Sequence, residues 1–552
     1  MIRRIVLTGL SGSGKSTIGR LAADSLGWDV VDTDAEIERR EGRSIPDIFT
    51  NDGEAVFREM EGAVCREALS QEDVVIATGG GAVLDEAIWA PDLLGHESSL
   101  VVWLDADAMT LAKRLQDQAR EKGDVAERPL LQGDVVARLD AMRASREEIY
   151  ARADVTLEVA GRAPTNVASD IAELARLGSG VASIVDLKVE HAESTITVGA
   201  GARQDLGDRV RKRWPKAQRI WVMIDGNVRP YVSDVLSELR TVTGADVREF
   251  IVPPGEASKS LDGLSALYDW MLGGGIERGD VAIAIGGGVV GDLTGFAAAT
   301  VLRGVGLVQV PTTLLSMVDS SVGGKTGINH STGKNLIGAF YQPAEVVIDP
   351  ELLESLPERE WTSGWAEIIK HAVIEPTTPA GREPVLLGAL ERNAAALKRR
   401  DPIVTAWLIR RNVSLKASVV AADEREAGLR AILNFGHTIG HGIEAAGYAL
   451  LHGEAVAVGM RAALCIAVDL ELVSQTEADR VIALIGAYGL PTSATVDPAT
   501  VRRKMTQDKK KSGGKQRWVL PVSRGGVEIV EDVPDEVVDH AIETVTRALS
   551  PS

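Results

Sequence analysis

Three histidines with helical spacing lie close together in the C-terminal part of the chain. His437 and His441 stand four residues apart in N-F-G-H-T-I-G-H, so a helix would carry both rings on one face. His452 opens a second segment, His-Gly-Glu, which could return an imidazole to the same point. Neutral imidazoles on a rigid helix, with a carboxylate from another segment, suit an open catalytic zinc site. A polar helix with buried structural histidines explains the same spacing.

Glu367 is the carboxylate that could complete this site. It lies in Ala-Glu-Ile-Ile-Lys-His, where Lys370 follows at i+3. A surface ion pair between the two residues accounts for that spacing as well. With His437 and His452, however, Glu367 would make a site of two histidines and one carboxylate that leaves positions for substrate oxygens.

The N-terminus carries a phosphate-binding pattern. An apolar run from Ile2 to Leu7 leads into G-L-S-G-S-G-K-S-T, which matches G-x-x-x-x-G-K-[ST] between a strand and a helix start. Such glycines let backbone N–H groups wrap phosphate oxygens, and the lysine adds a positive charge. The hydroxyl of Ser16 can ligate Mg²⁺. The pattern predicts ATP binding by Gly12, Ser13, Gly14, Lys15, Ser16 and Thr17.

Further motifs follow this loop in order. Asp34 in D-T-D comes after an apolar strand and could accept a proton from a substrate hydroxyl. Arg58 in F-R-x-x-E offers a guanidinium to a carboxylate, and the glycines around Gly80 would let a ligand approach the backbone closely. The charged stretch from Lys113 to Arg128 suits a mobile lid whose arginine reaches the phosphates. Each motif alone could be structural, but together they favour a substrate site.

A second nucleotide site is indicated further along the chain. The apolar strand 281–285 leads into G-G-G-V-V-G-D, which contains G-x-G-x-x-G, so a dinucleotide pyrophosphate could rest there. This motif is weak on its own, and the segment 305–318 offers no acidic residue for the ribose. Asp225, at the end of an earlier strand, could fill that role.

Positively charged residues indicate an anionic ligand in the same part of the chain. Lys325 and Lys334, nine residues apart, are predicted to lie in glycine-rich loops that bind a phosphate or a carboxylate. Further positive or polar side chains are available at Lys416, Arg430, Asn434 and the run 508–511. For that run, a solvated surface loop is the alternative.

Composition limits the possible function classes. A chain of 552 residues suggests two to four domains at roughly 150 residues each. The net charge of −19 argues against a general nucleic-acid surface or an anionic membrane as partner. Two cysteines, Cys65 and Cys465, fit a reducing cytosol, and the apolar runs are too short to span a bilayer. We expect a cytoplasmic enzyme.

These residues require α/β elements to position them. We predict an N-terminal P-loop domain, with a parallel sheet flanked by helices, at residues 1–177, and a small, flexible linker at 178–183. An α/β NAD-binding half at 184–347 and a mainly helical metal- and substrate-binding half at 348–552 would follow.

The first module resembles shikimate kinase over roughly its first 175 residues, through the P-loop, D-T-D, F-R-x-x-E, G-G-G and R-P-L-L. The resemblance implies ATP- and Mg²⁺-dependent phosphorylation of the shikimate 3-hydroxyl. Asp34 would orient that hydroxyl, while Lys15 and Arg128 would stabilise the transferring phosphoryl group. Shikimate would be bound by Asp34, Arg58, Gly80 and Arg146. At Arg146 the family has R-x-P-L-Y, whereas this chain reads R-E-E-I-Y.

From Ile184 onward the chain resembles 3-dehydroquinate synthase, through D-G-N, P-G-E-x-x-K-S, G-G-G-V-x-G-D, P-T-T, D-S-S-V-G-G-K-T, G-K-N-L-I-G, A-E-x-I-K and N-F-G-H-x-x-G-H. The implied reaction converts 3-deoxy-D-arabino-heptulosonate 7-phosphate to 3-dehydroquinate and phosphate, with NAD regenerated. The implied zinc ligands, which could also hold cobalt, are Glu367, His437 and His452. The implied NAD-binding residues are Asp225, Asn227, Glu256, Lys259, Gly287, Gly288, Asp292, Thr312, Thr313, Lys325 and Lys334.

The same resemblance implies a substrate site shared between subunits. Its residues would be Asp319, Lys325, Lys334, Asn335, Lys370, Lys416, Arg430, Asn434, His441 and one of Lys509 or Lys510. Of these, Asp319, Lys325, Lys370 and His441 would be catalytic, with His441 shuttling protons. Arg303 would reach the substrate phosphate from a neighbouring subunit, which implies a homodimer.

Two other functions compete with this interpretation. A metal-dependent polyol dehydrogenase would share the general fold, but it would release NADH and would not need Lys325, Lys334 and Lys370. A regulatory or scaffold protein with one inactive domain would not need a complete set of catalytic residues. Lys15, Asp34 and the three predicted metal ligands are all present.

Overall fold

The computed structural model describes residues 1–122, 134–446, 450–512 and 516–547. These residues form two compact units, each made of two chain segments. Unit 1 comprises Met1–Val181 and Gly388–Trp407, and unit 2 comprises Ala182–Leu387 and Leu408–Ser552. The boundaries expected from the sequence did not anticipate the contribution of 388–407 to the first unit. No helix among the described residues combines the length and the apolar character that a membrane crossing requires.

Unit 1 is built mainly from alternating strands and helices. Its N-terminal segment contains β1 Arg4–Thr8, α1 Lys15–Leu26, β2 Asp29–Asp32, α2 Thr33–Glu41, α3 Ile45–Asn51, α4 Gly53–Leu69, β3 Val74–Ala77, β4 Ser99–Asp105, α5 Ala108–Lys122, α6 Val135–Tyr150, β5 Val155–Glu158 and α7 Pro164–Gly178.

The five strands of unit 1 form one parallel sheet in the order β2-β3-β1-β4-β5. The inner strands β1, β3 and β4 are buried along their whole length, as expected for apolar strands covered on both faces by helices. The strand order places the carboxyl ends of β1, β2 and β3 side by side, and the predicted kinase motifs follow these ends. The predicted α/β class is confirmed here.

The segment Gly388–Trp407 completes the open edge of this sheet. The side-chain amide of Asn393 accepts a hydrogen bond from Thr156 N at 2.7 Å and donates one to Thr156 O at 2.9 Å. Thr156 lies in β5, which is the edge strand of this sheet among the described residues. Arg392 adds ion pairs with Glu158 at 2.9 Å and Asp105 at 3.2 Å. The amide of Asn393 thus replaces a strand partner at this position.

The elements of the remaining chain begin with an α/β part. They are β6 Ser183–Val189, β7 Ala192–Val198, α8 Leu206–Arg213, β8 Arg219–Asp225, α9 Ser233–Thr243, β9 Asp246–Val252, α10 Leu261–Gly273, β10 Val281–Gly286, α11 Gly288–Thr300, β11 Gly306–Pro311, β12 Lys325–His330, β13 Gly333–Phe340 and β14 Glu345–Ile348.

A mainly helical part follows. It contains α12 Glu358–Ile374, α13 Leu386–Arg392, α14 Ala394–Lys398, α15 Pro402–Ala422, α16 His437–Ala446, α17 His452–Asp469, α18 Gln475–Ala487, β15 Ala494–Thr495, α19 Pro498–Ser512, β16 Trp518–Pro521, β17 Val527–Val530, α20 Asp535–Val545 and β18 Thr546–Arg547.

The large sheet of unit 2 has seven strands in the order β6-β7-β14-β11-β10-β8-β9. It is parallel except for the pair β6–β7, which is antiparallel. Apolar side chains of β8 and β10 pack against α10 and α11, with Trp221, Leu267 and Leu293 in the core. The strands β8, β10 and β11 are neighbours, so their carboxyl ends form one continuous edge.

One local prediction is wrong. Lys325 and Lys334 were expected in glycine-rich loops, but they lie on the antiparallel strands β12 and β13. Thr326 and Ile328 are buried on one face of this hairpin. The other positions of β12 hold glycine and polar residues, and β13 exposes the apolar residues Leu336 and Phe340, so neither strand shows a clean alternation of apolar and polar residues in the sequence.

Candidate active sites

The phosphate loop joins β1 to α1 in unit 1. Gly9, Gly12 and Gly14 have φ values of 139°, 87° and 92°, a region that side-chain-bearing residues rarely adopt. The ammonium group of Lys15 donates hydrogen bonds to the carbonyl oxygens of Gly9 at 2.8 Å and Leu10 at 3.1 Å. The lysine is therefore held at the loop where phosphate oxygens would need a positive charge.

The other predicted nucleotide residues surround this loop. Ser13 is buried, whereas Ser16 and Thr17 are exposed in the first turn of α1. That position leaves their hydroxyl groups accessible to a phosphate-bound Mg²⁺. Arg128, the predicted lid residue, lies outside the described residues.

A compact group of charged side chains lies beside the glycines that follow β3. Asp34 is in the first turn of α2, while Arg58 and Glu61 share one face of α4, where Arg58 donates a hydrogen bond to Glu61 at 2.6 Å. A Cβ atom on Gly79 would lie 2.1 Å from Oε1 of Glu61 and 2.7 Å from Oδ1 of Asp34. A side chain at position 79 would therefore require both carboxylates to move.

Arg146 reaches the same glycines despite its altered motif. Its guanidinium donates a hydrogen bond to Gly80 O at 2.9 Å, and the hydroxyl of Tyr150 donates one to the same oxygen at 2.6 Å. The two side chains are one turn apart on α6, so the helix brings both to one point. The structure thus gathers Asp34, Arg58, Gly80 and Arg146 at one place.

Glu61 and Tyr150 are members of this group that the predicted site did not include. Burial raises the pKa of Glu61, and the nearby guanidinium of Arg58 opposes that shift. Tyr150 is fully buried. The i,i+3 spacing of arginine and glutamate in F-R-x-x-E was the available sequence signal for Glu61.

The predicted metal ligands of unit 2 converge. His437 begins α16, His452 begins α17, and Glu367 lies within α12. The Nε2 atoms of His437 and His452 lie 3.7 Å and 3.6 Å from Oε1 of Glu367. Within the described part of the chain, that buried oxygen has no hydrogen-bond donor. Two imidazoles and an orphaned carboxylate oxygen at these separations fit a zinc ion.

Close packing of α16 on α17 brings the two histidines together. A Cβ atom on Gly440 would lie 3.0 Å from Ala455 O, and one on Gly459 would lie 2.0 Å from Gly436 O. Side chains at these glycines would push the helices apart. The exposed ring of His441 lies one turn along α16, with its centroid 5.2 Å from that of His437.

The two histidines predicted to bind the metal differ in their electrostatic surroundings. Burial lowers the pKa of His437 to about 3, which keeps its imidazole neutral and able to bind a metal. Burial acts in the same direction on His452, but the carboxylates of Glu367 and Glu444 outweigh it and raise the pKa to about 9. The carboxylate of Glu444 is therefore part of this site, although the sequence did not single it out.

A buried cluster of charges adjoins these ligands. Lys370 forms an ion pair with Glu367, and its Nζ atom lies 3.6 Å from Oδ1 of Asp319. Burial would raise the pKa of Asp319, but the ammonium groups of Lys416 and Lys370 keep it well below its ordinary value. Asp319 is thus an anion that holds two predicted substrate-binding lysines in place.

His371 and Asn412 also belong to this cluster and were missed. The Nε2 atom of His371 lies 3.7 Å from Oδ1 of Asp319, and its Nδ1 atom lies 3.1 Å from Oδ1 of Asn412. Burial, helped by the charge of Lys370, lowers the pKa of His371 to about 3. A fully buried neutral histidine therefore packs behind the aspartate.

The two lysines of the β12–β13 hairpin each meet a glutamate. Lys325 forms an ion pair with Glu426, whose other oxygen accepts a hydrogen bond from Asn434 at 2.7 Å. Lys334 donates a hydrogen bond to Glu444 at 2.6 Å. Neither glutamate was predicted, because each lies about a hundred residues from its lysine along the chain.

Of the remaining predicted substrate residues, Asn335 and Arg430 lie among the described residues. Asn335 follows Lys334 with a φ of 55°. Arg430 is almost fully buried and donates a hydrogen bond to Gly323 O at 2.9 Å. The side chains of Lys509 and Lys510 lie outside the described residues.

The predicted NAD-binding residues line the carboxyl edge of the large sheet. Asp225 ends β8, Gly287 precedes the first residue of α11, Gly288, and Thr312 and Thr313 follow β11. In open α/β sheets, dinucleotides bind at this edge with the pyrophosphate near a helix N-terminus.

Hydrogen bonds to carboxylates hold two further predicted NAD-binding residues at this edge of the sheet. Asn227 donates its backbone N–H to Asp225 at 2.9 Å, and Lys259 donates a hydrogen bond to Asp292 at 2.5 Å.

Asn329 links this edge to the lysine hairpin. Its amide donates a hydrogen bond to Glu256 at 2.7 Å, and its Oδ1 accepts one from Asn335 N at 2.9 Å. Asn329, which was not predicted, thus connects a predicted NAD-binding residue to a predicted substrate-binding residue.

Comparison with protein families agrees with this arrangement. The shikimate kinase model matches residues 11–176. The models for the N-terminal and C-terminal parts of 3-dehydroquinate synthase match residues 249–363 and 364–511.

This chain covers most of the length of individual relatives. A 3-dehydroquinate synthase of Symbiobacterium thermophilum is 44% identical over 356 residues, which cover 64% of this chain and 98% of the relative. One of Halorhodospira halophila is 47% identical over 318 residues, covering 57% and 88%. Among solved structures, the 2-epi-5-epi-valiolone synthase ValA of Streptomyces hygroscopicus, with NAD⁺ and Zn²⁺ bound, is 26% identical. That match has a TM-score of 0.58 and covers 66% of this chain and 99% of ValA. The chain therefore belongs to the 3-dehydroquinate synthase family and carries a shikimate kinase domain in front of it.

Proposed function

We propose that this protein catalyses two reactions of the shikimate pathway, and so of aromatic amino-acid biosynthesis. Unit 1 phosphorylates the 3-hydroxyl of shikimate with ATP. Unit 2 converts 3-deoxy-D-arabino-heptulosonate 7-phosphate to 3-dehydroquinate and phosphate. The observation that carries the second assignment is the convergence of Glu367, His437 and His452 beside the buried Lys370 and Lys416, which both pair with Asp319. A polyol dehydrogenase would need the metal ligands but not the lysines.

In the kinase, the residues around Gly79 bind and orient the acceptor. Arg58 and Arg146 supply guanidinium groups for the shikimate carboxylate. The carboxylate of Asp34 orients the attacking hydroxyl and draws its proton. Lys15 stabilises negative charge on the transferring phosphoryl group, and Ser16 offers its hydroxyl to Mg²⁺.

In the synthase, this chain's side chains hold an anionic substrate against the metal ligands. Zn²⁺, or Co²⁺ in its place, bound by Glu367, His437 and His452 supplies Lewis acidity, and NAD⁺ supplies a hydride acceptor that turnover regenerates. Lys325, Lys334 and Arg430 match the phosphate and carboxylate charges.

Lys370 and His441 are the side chains that hold or transfer protons in the synthase. Lys370 is almost fully buried between two carboxylates, which raise its pKa above that of an ordinary lysine and keep it charged. It therefore orients substrate oxygens as a hydrogen-bond donor. His441 is exposed next to His437 and carries protons between the site and solvent.

Arg303 supports the assignment of a homodimer. It is exposed, and it follows Leu302 on a turn in which both residues have positive φ, 49° and 66°. Such backbone costs of the order of 1–3 kcal/mol per residue and is typically kept where a function requires it. We propose that Arg303 extends into the active site of the partner subunit.

Cytoplasmic placement fits the two cysteines, which are both free thiols in the structure.

The synthase assignment is tested by incubating the full chain with the seven-carbon keto-acid phosphate, NAD⁺ and Zn²⁺ while phosphate and NADH are followed together. We expect stoichiometric phosphate without accumulated NADH, and loss of the activity after a chelator is added. Accumulating NADH would instead indicate a dehydrogenase. ATP consumption with shikimate tests the kinase in the same preparation.

Paired variants separate the two activities. Lys15→Met should abolish shikimate phosphorylation and leave phosphate release unchanged. Glu367→Gln should abolish phosphate release by the synthase and leave shikimate phosphorylation unchanged. Loss of both activities in either variant would contradict the assignment of one reaction to each unit.

A further inference from the structure

Glu444 stands between two groups that belong to different parts of the synthase site. Its Oε1 atom accepts a hydrogen bond from Nζ of Lys334 at 2.6 Å, and its Oε2 atom lies 3.3 Å from Nδ1 of His452. Lys334 is on strand β13, whereas His452 is the first residue of α17. One carboxylate on α16 therefore joins a substrate-binding lysine to a metal ligand.

We propose that Glu444 is a positioning residue of the synthase: it orients His452 for the metal and Lys334 for the substrate anion. The proposal rests on the synthase function proposed above. It assigns Glu444 no contact with the metal or with the reacting carbon atoms.

The contact with His452 selects the nitrogen that faces the metal. An imidazole that ligates a metal carries one proton, and a carboxylate at Nδ1 holds that proton there. The lone pair then lies on Nε2, the atom 3.6 Å from Oε1 of Glu367. A carboxylate behind a ligating histidine also makes the imidazole a stronger ligand. The side chain of Glu444 is only 13% exposed, so solvent screens this interaction weakly.

The contact with Lys334 limits the conformations of that flexible lysine side chain. The lysine side chain is 53% exposed, which makes it accessible to a ligand but leaves it many conformations. The ion pair with Glu444 restricts Lys334 to the side-chain conformations that place its ammonium group near the metal ligands. A substrate anion arriving there meets an ammonium group that is already in place.

Metal affinity tests the first half of the proposal without using turnover. Metal-free full-length protein is titrated with Co²⁺ against a competing chelator, and the visible absorption of bound cobalt is followed. We expect Glu444→Ala to weaken Co²⁺ binding by about 10–100-fold, the usual effect of removing a residue behind a metal ligand. Glu444→Gln should weaken it less, because its amide oxygen can still accept a hydrogen bond from Nδ1.

Steady-state kinetics at saturating metal test the second half. Both Glu444→Ala and Lys334→Met should raise KM for the keto-acid phosphate more than they lower kcat. Lys334→Met should leave Co²⁺ affinity within about threefold of the unmodified protein, because only the histidine contact acts on the metal.

A matched control is available on α17. Asp469 pairs with His540 at 2.7 Å on the surface, so Asp469→Asn breaks a carboxylate–histidine contact away from the site. It should change neither metal affinity nor KM. Retained NAD⁺ binding and an unchanged unfolding temperature would show that each Glu444 variant is folded. If Glu444→Ala unfolds, Glu444→Gln carries the test, and Co²⁺ binding by that variant as tight as in the unmodified protein would refute the positioning role.

The two proposals fail in different ways. If the unmodified protein binds no Co²⁺ and releases no phosphate, the synthase function is wrong. Suppose that the unmodified protein binds Co²⁺ and releases phosphate, but folded Glu444→Ala binds Co²⁺ equally tightly. The positioning role is then refuted while the synthase function stands.

Discussion

The ammonium nitrogen of Lys416 lies 2.8 Å from Oδ1 of Asp319 and 2.6 Å from the backbone oxygen of the same residue. Burial lowers the pKa of Lys416 to about 8, although the charge of Asp319 opposes that shift. A predicted substrate-binding lysine is therefore close to losing its proton under mildly alkaline conditions.

This relationship predicts a pH-dependent KM for the synthase. Above about pH 8, Lys416 becomes neutral and binds an anion less well, so KM for the keto-acid phosphate should rise. In Lys416→Arg the guanidinium keeps its charge, so KM should no longer increase above about pH 8. This should hold even if KM of the variant exceeds that of the unmodified enzyme at every pH. KM values of both enzymes measured from pH 6.5 to 9.5 test this prediction. A KM of the unmodified enzyme that stays constant over this range would contradict the assignment.

Substitution of Gly79 should disable the kinase selectively. In Gly79→Ala the new Cβ atom would meet the carboxylate oxygens of Glu61 and Asp34 at 2.1 Å and 2.7 Å, so both must move. Because small displacements of positioning groups can cost about 10²-fold in rate, we expect a loss of that order in kcat/KM for shikimate.

Gly62→Ala serves as the control for this substitution. Gly62 lies within α4, and its new Cβ would face only the flexible end of Arg66 at 3.3 Å. Alanine is the better helix former by roughly 0.5–1 kcal/mol, so this variant should keep full activity and be no less stable. Equal kinase activity in the two variants would refute the crowding argument.

Removal of the predicted zinc ligand should affect stability as well as activity. Glu367→Gln leaves Lys370 buried with Asp319 as its remaining ion-pair partner, and breaking a buried pair typically costs about 3–5 kcal/mol. We expect the free energy of unfolding of metal-free unit 2 to fall by up to that amount. Adding Lys370→Met should restore part of it. Chemical denaturation followed by tryptophan fluorescence measures both effects, and a double variant less stable than the single one would argue against the pair.

Arg303 should act in the partner's active site. Arg303→Ala and Glu367→Gln should each inactivate the synthase, but in a mixed dimer one site has both residues intact. Random 1:1 mixing of subunits should restore about a quarter of the unmodified activity. Unmixed variants refolded in the same way provide the baseline. If mixing restores nothing although mixed dimers form, the arginine acts within its own subunit.

The parts of the site that the sequence revealed are those encoded by local spacing. The phosphate loop, the carboxylate of D-T-D and the histidines of α16 each lie in a short segment whose pattern reflects strand and helix geometry. The phosphate loop and the two histidines lie in the elements where they were expected, whereas Asp34 lies in the first turn of α2, just beyond the strand end where D-T-D was expected.

The residues that were missed act through partners distant in the chain. Glu426 meets Lys325 across 101 residues, and Glu444 meets Lys334 across 110 residues. Local propensity contains no information about such pairs, which arise only when helices and the hairpin pack together. The segment 388–407 could not be assigned to unit 1 for the same reason.

The Asn393 contact also has a consequence for how the protein is made. Asn393 follows Thr156 by 237 residues. At roughly 5–20 residues per second, the ribosome needs on the order of 10–50 s to travel that distance. Throughout this interval the emerging β5 edge is exposed to water, chaperones or another nascent chain. The kinase unit therefore reaches its final structure late in translation, although it is encoded first.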